Sequence, residues 1–284
     1  MTRRGSVTLV GAGPGDPGLL TVAGREALSQ AEVVVHDFLV DPRVLALAPP
    51  GARLIYAGKR AGQHRIPQSS IHRLLIRHAR LGRRVVRLKG GDSFVFGRGG
   101  EEAWACRRAG IPFRVIPGVT SGSAVPACAG IPVTHRGLAS AVAFVTGHEE
   151  KGKAGGAVDW GALARFPGTL VFFMALKAVA SISRNLIDAG MAPSTPAAAI
   201  RWGTLPEQET VTGTLASLPA RAAALGTPAL VVVGKVVRMR RSLAWFERRP
   251  LFGRRIAVTR AREQASLLEA RLAGLGASVF LAPA

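Results

Sequence analysis

Val7-Thr8-Leu9-Val10-Gly11-Ala12-Gly13-Pro14-Gly15-Asp16-Pro17 decides the class of fold. Val7 to Gly11 reads as a short strand, and it breaks at once into glycine and proline, which punctuate a chain rather than extend it. Thr21 then caps a predicted helix running through Gln30, and Val33 to His36 is the next strand. Outward from this start the alternation repeats. Arg53 to Tyr56 reads as a strand, and Ser70 to Leu81 as a helix with Ile71, Leu74, Leu75 and Ala79 on one face and Gly82 as its stop. Val85 to Leu88 is a strand, Glu101 to Ala109 a helix ended by Gly110, and Phe113 to Ile116 another strand. Repeated strand–helix–strand units with short loops predict a parallel α/β sheet.

Pro117 and Gly118 interrupt the pattern, and a second alternating series follows. Its strands are Val142 to Thr146, Thr169 to Met174, Ala197 to Ile200, Thr210 to Thr212 and Leu230 to Gly234. Glu149 to Gly156, EEKGKAGG, has no core-forming residue and reads as a flexible loop. The expectation is an α/β protein of two α/β domains, 1–117 and 118–247, with a ligand cleft between them, followed by a segment 248–284.

Composition narrows the function classes. Apolar residues make up 48% of the 284 and aromatic ones 6%, which suits alternating helices and strands better than an aromatic-rich β-sandwich. No apolar run approaches the roughly 18 residues of a membrane span. The basic start breaks too early to be a signal peptide, so a cytoplasmic location is expected. Cys106 and Cys128, without a CxxC, suggest buried free thiols in a reducing compartment rather than a disulfide or zinc site. The net charge is +21, and between Lys59 and Arg98 the only acid is Asp92. Arginine placed on ordinary solvated faces accounts for most of that excess, while the patch itself would attract RNA or a multiply carboxylated small molecule equally well.

Two loops carry the chemistry. A dinucleotide fingerprint would need glycine where Asp16 stands, facing a pyrophosphate at a helix N-terminus. A carboxylate there repels the anion, and Pro14 removes a backbone donor. S-adenosylmethionine has no phosphate and carries a sulfonium cation, so an acidic, proline-containing loop suits it better. The second loop, Lys89-Gly90-Gly91-Asp92-Ser93-Phe94-Val95-Phe96-Gly97-Arg98-Gly99-Gly100-Glu101-Glu102, follows a predicted strand and holds five glycines. Glycine lets the backbone approach a ligand and adopt positive φ, and the alternative is a tight turn without a ligand.

Together with Gly58-Lys59-Arg60-Ala61-Gly62, His64 and Pro67-Gln68, these segments resemble the uroporphyrinogen-III C-methyltransferases of the tetrapyrrole methylase family. Ile116 to Ser121, Ala129 to Arg136, Val145 to His148, Thr169 to Met174, Val211 to Leu215 and Pro228 to Gly234 continue the likeness in order, over roughly residues 6 to 246. The resemblance implies the tetrapyrrole methylase fold, a homodimer, and methylation of uroporphyrinogen III at carbons 2 and 7 to precorrin-2, which leads to sirohaem and cobalamin. It implies that Pro14, Gly90, Gly91, Asp92, Val95, Thr120, Ser121, Met174 and Gly203 hold the methyl donor. It further implies Asp37 as proton acceptor and Lys59 as proton donor; a turn-forming aspartate and a lysine that only meets substrate carboxylates are the alternatives. Arg60, His64, Arg65, Arg87, Arg98, His135 and Arg136 are candidate partners for those carboxylates. His135 and His148 show no metal-ligand spacing, and no metal is expected.

The chain departs from the family pattern at His36, where a tyrosine is usual, at Ser93 for proline, at Ala175 for glycine, and around Gly203, where the usual acidic residue before the glycine is missing. Beyond Phe246, a predicted strand Arg255 to Thr259, helix Glu263 to Ala273 and strand Ser278 to Leu281 resemble the opening of a uroporphyrinogen-III synthase domain. One such unit cannot bury its apolar face alone, so either a longer bifunctional protein or a remnant packed on the methylase is expected, without synthase activity. Three rival readings are a methylase for a later corrin precursor, an RNA methyltransferase of the same fold and a non-catalytic nucleic-acid-binding module. A single tyrosine and no aromatic cluster for base stacking argue against nucleic acid as a partner.

Overall fold

The computed structural model describes residues 4–58, 66–147, 158–259 and 262–282, and the chain forms two compact units, Met1–Ser121 and Gly122–Ala284. Lys59, Arg60, His64, Arg65, His148 and the loop Glu149 to Gly156 lie outside the described residues.

In the first unit, β1 (Ser6–Gly11), β2 (Val33–His36), β3 (Arg53–Tyr56), β4 (Arg84–Lys89) and β5 (Phe113–Ile116) form a parallel sheet in the order β3-β2-β4-β1-β5. Helices α1 (Val22–Ser29) and α2 (Pro42–Leu45) cover one face, packing Leu28 and Val44 on Val10, Val34, Val86 and Leu88. Helices α3 (Gln68–Arg80) and α4 (Gly99–Arg108) cover the other, where Ile71, Leu75, Ala103 and Cys106 meet Val7, Leu9, Val33, Val35 and Val85. A parallel sheet covered on both faces has buried strands throughout, which is why β1 and β2 read as near-continuous apolar runs. The Thr21 cap is present: its Oγ1 accepts from the Gly24 N–H at 3.1 Å. The order of strands has a consequence for function. The chain leaves β1 toward α1 on one face and leaves β4 toward α4 on the other, although the two strands are neighbours. Their carboxyl ends therefore open a crevice, the position where open α/β sheets take ligands.

In the second unit, α5 (Ser121–Cys128) begins at the unit boundary and leads into a sheet of β6 (Val142–Thr146), β7 (Thr169–Phe173), β8 (Pro196–Arg201), β9 (Glu209–Thr214) and β10 (Ala229–Val233). The order is β6-β7-β10-β8-β9. Only β6 and β7 pair in parallel; β10 runs antiparallel to β7 and β8, and β9 antiparallel to β8. The strands fall where the sequence places them, but the sheet is mixed. Residues 202–208 join β8 to β9 as a turn without a helix, too short for the crossover that a parallel pair requires. Short helices α6 (Trp160–Ala164), α7 (Val179–Asp188), α8 (Leu218–Arg221) and α9 (Arg240–Leu243) surround it, with Leu170, Phe172, Ile182, Leu186, Leu218 and Val231 in one core.

At the end of the chain β11 (Arg255–Val258) and β12 (Ser278–Leu281) pair in parallel around α10 (Arg262–Gly274). The segment is fastened by the Leu251 N–H donating to the Leu275 carbonyl at 2.9 Å and by Phe252 against Phe246, with ring centroids 5.8 Å apart. Among the described residues no helix is long and apolar enough to cross a membrane.

Candidate active site

The loops after β1 and β4 are stitched together at the crevice. The Ala12 N–H donates to the Lys89 carbonyl at 2.7 Å, and Gly13 and Gly91 exchange both backbone hydrogen bonds, at 3.2 and 2.6 Å. Gly118, from the loop after β5, lies against both. A Cβ on Gly11 would stand 2.5 Å from the Gly118 Cα, and one on Gly118 would strike the Gly91 carbonyl and stand 2.6 Å from the Gly11 Cα. All the obstructing atoms are backbone, so these positions admit only glycine. Gly91 in addition has φ +68°, in the left-handed region.

Asp92 ties this arrangement. One carboxylate oxygen accepts from the Phe94 N–H at 2.7 Å and the other from the Gly118 N–H at 2.8 Å. The carboxylate thus closes its own turn and also joins two loops 26 residues apart. The sequence posed donor contact and turn closure as alternatives for Asp92; the structure gives it the bridging task. Asp92→Ala is expected to lower stability by about 1–3 kcal/mol, because the part-buried Gly118 amide and the exposed Phe94 amide lose their acceptor. It should also weaken binding of S-adenosylhomocysteine, as the Gly91–Gly118 approach loosens. Thermal melts and calorimetric titration of the same variant separate the two effects, and unchanged affinity in a destabilised protein would leave Asp92 a turn former alone.

Seven of the residues implied as donor contacts lie in the first unit. Pro14 follows Gly13, Gly90 to Asp92 and Val95 form the β4 loop, and Thr120 and Ser121 lead into α5. The Ser121 nitrogen is 3.7 Å from the position of a Cβ on Gly91. Asp37 leaves the end of β2 beside them: its carboxylate accepts from the Leu39 N–H at 3.1 Å, and Leu39 sits on Gly90, where a Cβ would be 2.6 Å from the Leu39 Cβ. Asp16 is engaged locally, its Oδ1 accepting from the Gly18 N–H at 2.8 Å, and α1 begins only at Val22. The glycine loop runs into a single 3-10 turn, Pro17–Leu19, whose N-cap is Asp16; that carboxylate takes the Gly18 amide and would repel a pyrophosphate there.

Met174 and Gly203 belong to the second unit, at the carboxyl ends of β7 and β8, which point the same way because both are antiparallel to β10. A Cβ on Gly203 would run into the Val125 side chain. Met174, at φ +55°, and Trp202 and Thr204, at φ +46° and +74°, join Phe96 (φ +50°) and Arg98 (φ +58°) as the non-glycine residues with positive φ among those described. Such conformations cost about 1–3 kcal/mol each and collect at functional sites. Here all five fall in or beside the segments implied to hold the donor, a signal that single-residue motif reading lacks.

The basic candidates divide. Arg98 is exposed and makes a paired contact with Glu101, at 2.7 Å for both hydrogen bonds, and this holds the Glu101 carboxyl below the usual carboxylate range. His135 and Arg136 are exposed on a tight turn of the second unit closed by the His135–Ala139 backbone bridge. Arg87 is different: it is 2% exposed. Its Nε donates to Glu102 Oε1 at 3.1 Å, its Nη1 donates to the Val35 and Leu88 carbonyls at 3.2 Å, and its Nη2 stands 3.9 Å from Asp37 Oδ2. As a surface anchor for substrate carboxylates it is misplaced; it is a structural cation beneath the crevice. Lys89 shares its side of β4, with Nζ 3.6 Å from Glu102 Oε1, and burial together with Arg87 pushes its ammonium below the ordinary lysine range against the opposing pull of Glu102. Glu102 itself is wholly buried and also accepts from Gln68 Nε2 at 3.0 Å.

Motif reading missed this buried cluster, although a signal was present. Cations at alternate positions of a central parallel strand, Arg87 and Lys89, face a covered side and cannot be solvated, so an acid on the covering helix is required. His36 is half-buried with its ring edge-on to Tyr56 at 5.5 Å, and burial lowers its pKa. The Cys106 thiol, buried beside Glu102, is pushed up to about 11.

This geometry can be set against known proteins. A family model described as "Tetrapyrrole (Corrin/Porphyrin) Methylases" matches residues 6–219. The chain belongs to the tetrapyrrole methylase family. The match stops short of the β11–α10–β12 segment. Among curated relatives, "Siroheme synthase 1" of Yersinia enterocolitica is 51% identical over 247 residues, covering 87% of this chain and 52% of its own length. The chain spans about half the length of the curated relatives it matches. Among solved structures, the uroporphyrin-III C-methyl transferase of Thermus thermophilus complexed with S-adenyl homocysteine is 44% identical with a TM-score of 0.71, covering 82% of this chain and 99% of that one. A cobalt precorrin-4 methyltransferase of cobalamin biosynthesis superposes as well, with a TM-score of 0.72, at 27% identity, covering 82% of this chain and 95% of that one.

Proposed function

We propose that this chain transfers methyl groups from S-adenosylmethionine to uroporphyrinogen III, at carbons 2 and 7, giving precorrin-2 for sirohaem synthesis. The observation that carries the reading is the crevice at the carboxyl ends of β1 and β4. Three glycine backbones meet there under the Asp92 bridge, Asp37 stands alongside, and Asp16 caps the short turn at which a phosphate would otherwise bind. A cradle of glycine backbone edged by Asp16 and Asp37 suits the adenosyl and sulfonium groups of the donor. The 44% identity to the Thermus enzyme, against 27% to the cobalt precorrin-4 methyltransferase, favours the earlier substrate over a later corrin precursor.

When bound, S-adenosylmethionine supplies an electrophilic methyl group on sulfur, so the protein's task is alignment and exclusion of water. In the first unit Pro14, Gly90, Gly91, Asp92, Val95, Thr120 and Ser121 hold the donor; the role of Met174 and Gly203 rests on their motif positions. Each transfer must release one proton net, and Asp37 takes it; Lys59 donates a proton at one ring position and recovers one from another as the double bonds shift, which leaves that balance unchanged. Arg60, His64, Arg98, His135 and Arg136 meet substrate carboxylates. The active form is a homodimer in the cytoplasm. Incubation with uroporphyrinogen III and S-adenosylmethionine should give a product heavier by two methylene units, as each transfer adds a methyl group to a ring carbon and releases one proton from elsewhere on the macrocycle. A product methylated only when a later corrin precursor or RNA is offered would replace this reading.

A further inference from the structure

We propose that Glu102 is a positioning residue for methylation, which acts on Asp37 through Arg87 and makes no contact with either substrate itself. The inference rests on the reading above and adds a residue that no motif assigns. Glu102 lies in α4, on the opposite side of β4 from α1, with no exposed surface. Its Oε1 collects Gln68 from α3, Arg87 and Lys89, while its Oε2 is buried without a hydrogen-bond partner. A carboxylate so placed fixes one edge of the Arg87 guanidinium. The planar fork then has no freedom at its other edge, which spans the β2 and β4 carbonyls and ends at Asp37.

The pairs across β2 and β4 explain the reach. Arg87 is in register with Val35, two residues before Asp37, so its side chain passes directly under the end of β2. Asp37 has one oxygen on the Leu39 amide and the other toward Arg87, and its neighbours of like or opposite charge are His36 on its own strand, Arg87 and Lys89 on β4, and Glu102 on α4. Among these, Glu102 alone lies beyond Arg87 from Asp37 and opposes its charge. Without that charge the guanidinium is drawn wholly to Asp37, which then turns toward Arg87 and away from the crevice.

A charge count shows how the test can preserve the fold. Arg87 and Lys89 balance Asp37 and Glu102. In Glu102→Gln, Lys89 can release its proton to restore neutrality, and in Lys89→Met/Glu102→Gln one cation and one anion leave together. Both variants should fold and bind S-adenosylhomocysteine within about threefold of wild type, yet lose about tenfold or more in single-turnover rate, since effects passing through one base fall on turnover. In an Asp37→Asn background, Glu102→Gln should cost less than about twofold further, because the two act as one unit. Independent, multiplying losses, or a Lys89→Met/Glu102→Gln variant as fast as wild type, would overturn the proposal and leave Glu102 a charge-balancing residue. If wild type does not methylate uroporphyrinogen III, the functional reading fails separately. The positioning claim is then read without substrate, from the Asp37 side-chain carboxyl carbon resonance at constant pH. It should move between wild type and Lys89→Met/Glu102→Gln, and an unmoved resonance refutes it. Should both of these variants fail to fold, Glu102→Asp, which keeps the charge but withdraws it by one methylene, should show the same rate loss with donor affinity retained; wild-type rates in it refute the claim.

Discussion

Asp37→Asn should lower single-turnover methylation by about 10²–10⁴-fold at saturating donor and substrate, the range a general base contributes. Asparagine keeps the size of the side chain and an oxygen for the Leu39 amide, so the β2 loop should stay on Gly90. What it loses is basicity and its charge toward Arg87. Donor affinity should therefore hold while turnover falls, the pattern expected of an interaction made in the transition state. The companion change is Lys59→Arg. Guanidinium hardly deprotonates in proteins, so a proton donor at this position fails as arginine, whereas an anchor for a substrate carboxylate survives. Rates measured at several pH values for both variants decide the matter. Turnover within a few-fold of wild type in both would mean that neither residue moves a proton, and that alignment and electrostatics alone carry the reaction.

Arg87→Met should destabilise the protein by about 3–5 kcal/mol, the cost of removing one partner from a buried ion pair. The arginine is 2% exposed, donates three hydrogen bonds to Glu102 and to the Val35 and Leu88 carbonyls, and stands 3.9 Å from Asp37. Methionine fills much of the volume but leaves Glu102 with Lys89 and Gln68 only, and removes the hydrogen bonds that Arg87 gives the Val35 and Leu88 carbonyls. Lys89, already held below the ordinary lysine range by burial, recovers part of the loss by staying charged when its cationic neighbour is gone. Chemical denaturation monitored by far-ultraviolet circular dichroism reads the difference. A loss below about 1 kcal/mol would place Arg87 in the class of solvated pairs, which contribute little, and would contradict its burial. Arg87→Lys should fall between: it keeps the charge but cannot fork between Glu102 and Asp37.

Much of the fold was legible in local pattern. The helix between Thr21 and Gln30, the face of Ile71, Leu75 and Ala79, and the strands at Val33 and Phe113 stand within a residue or two of their sequence positions, because periodicity and caps are properties of neighbouring residues. The two glycine-rich loops were legible for the same reason: each follows a strand directly. The mixed second sheet was not. Its strands are local, but whether β10 inserts antiparallel between β7 and β8 depends on pairings that no local pattern specifies.

The candidate site divides along the same line. By itself the sequence determined which residue types stand at the ends of β1, β2 and β4, and hence the family to which the chain belongs. Only the tertiary structure decided that Gly11, Gly91 and Gly118 touch, that Asp92 bridges to the Gly118 amide, and that Arg87 is buried in an ion cluster with Glu102 instead of facing a substrate. The reason is physical. Alternation along β4 fixes the side of the sheet on which Arg87 and Lys89 lie, but the partner on that side comes from a helix packed over it, and packing is set by contacts between segments far apart in the chain.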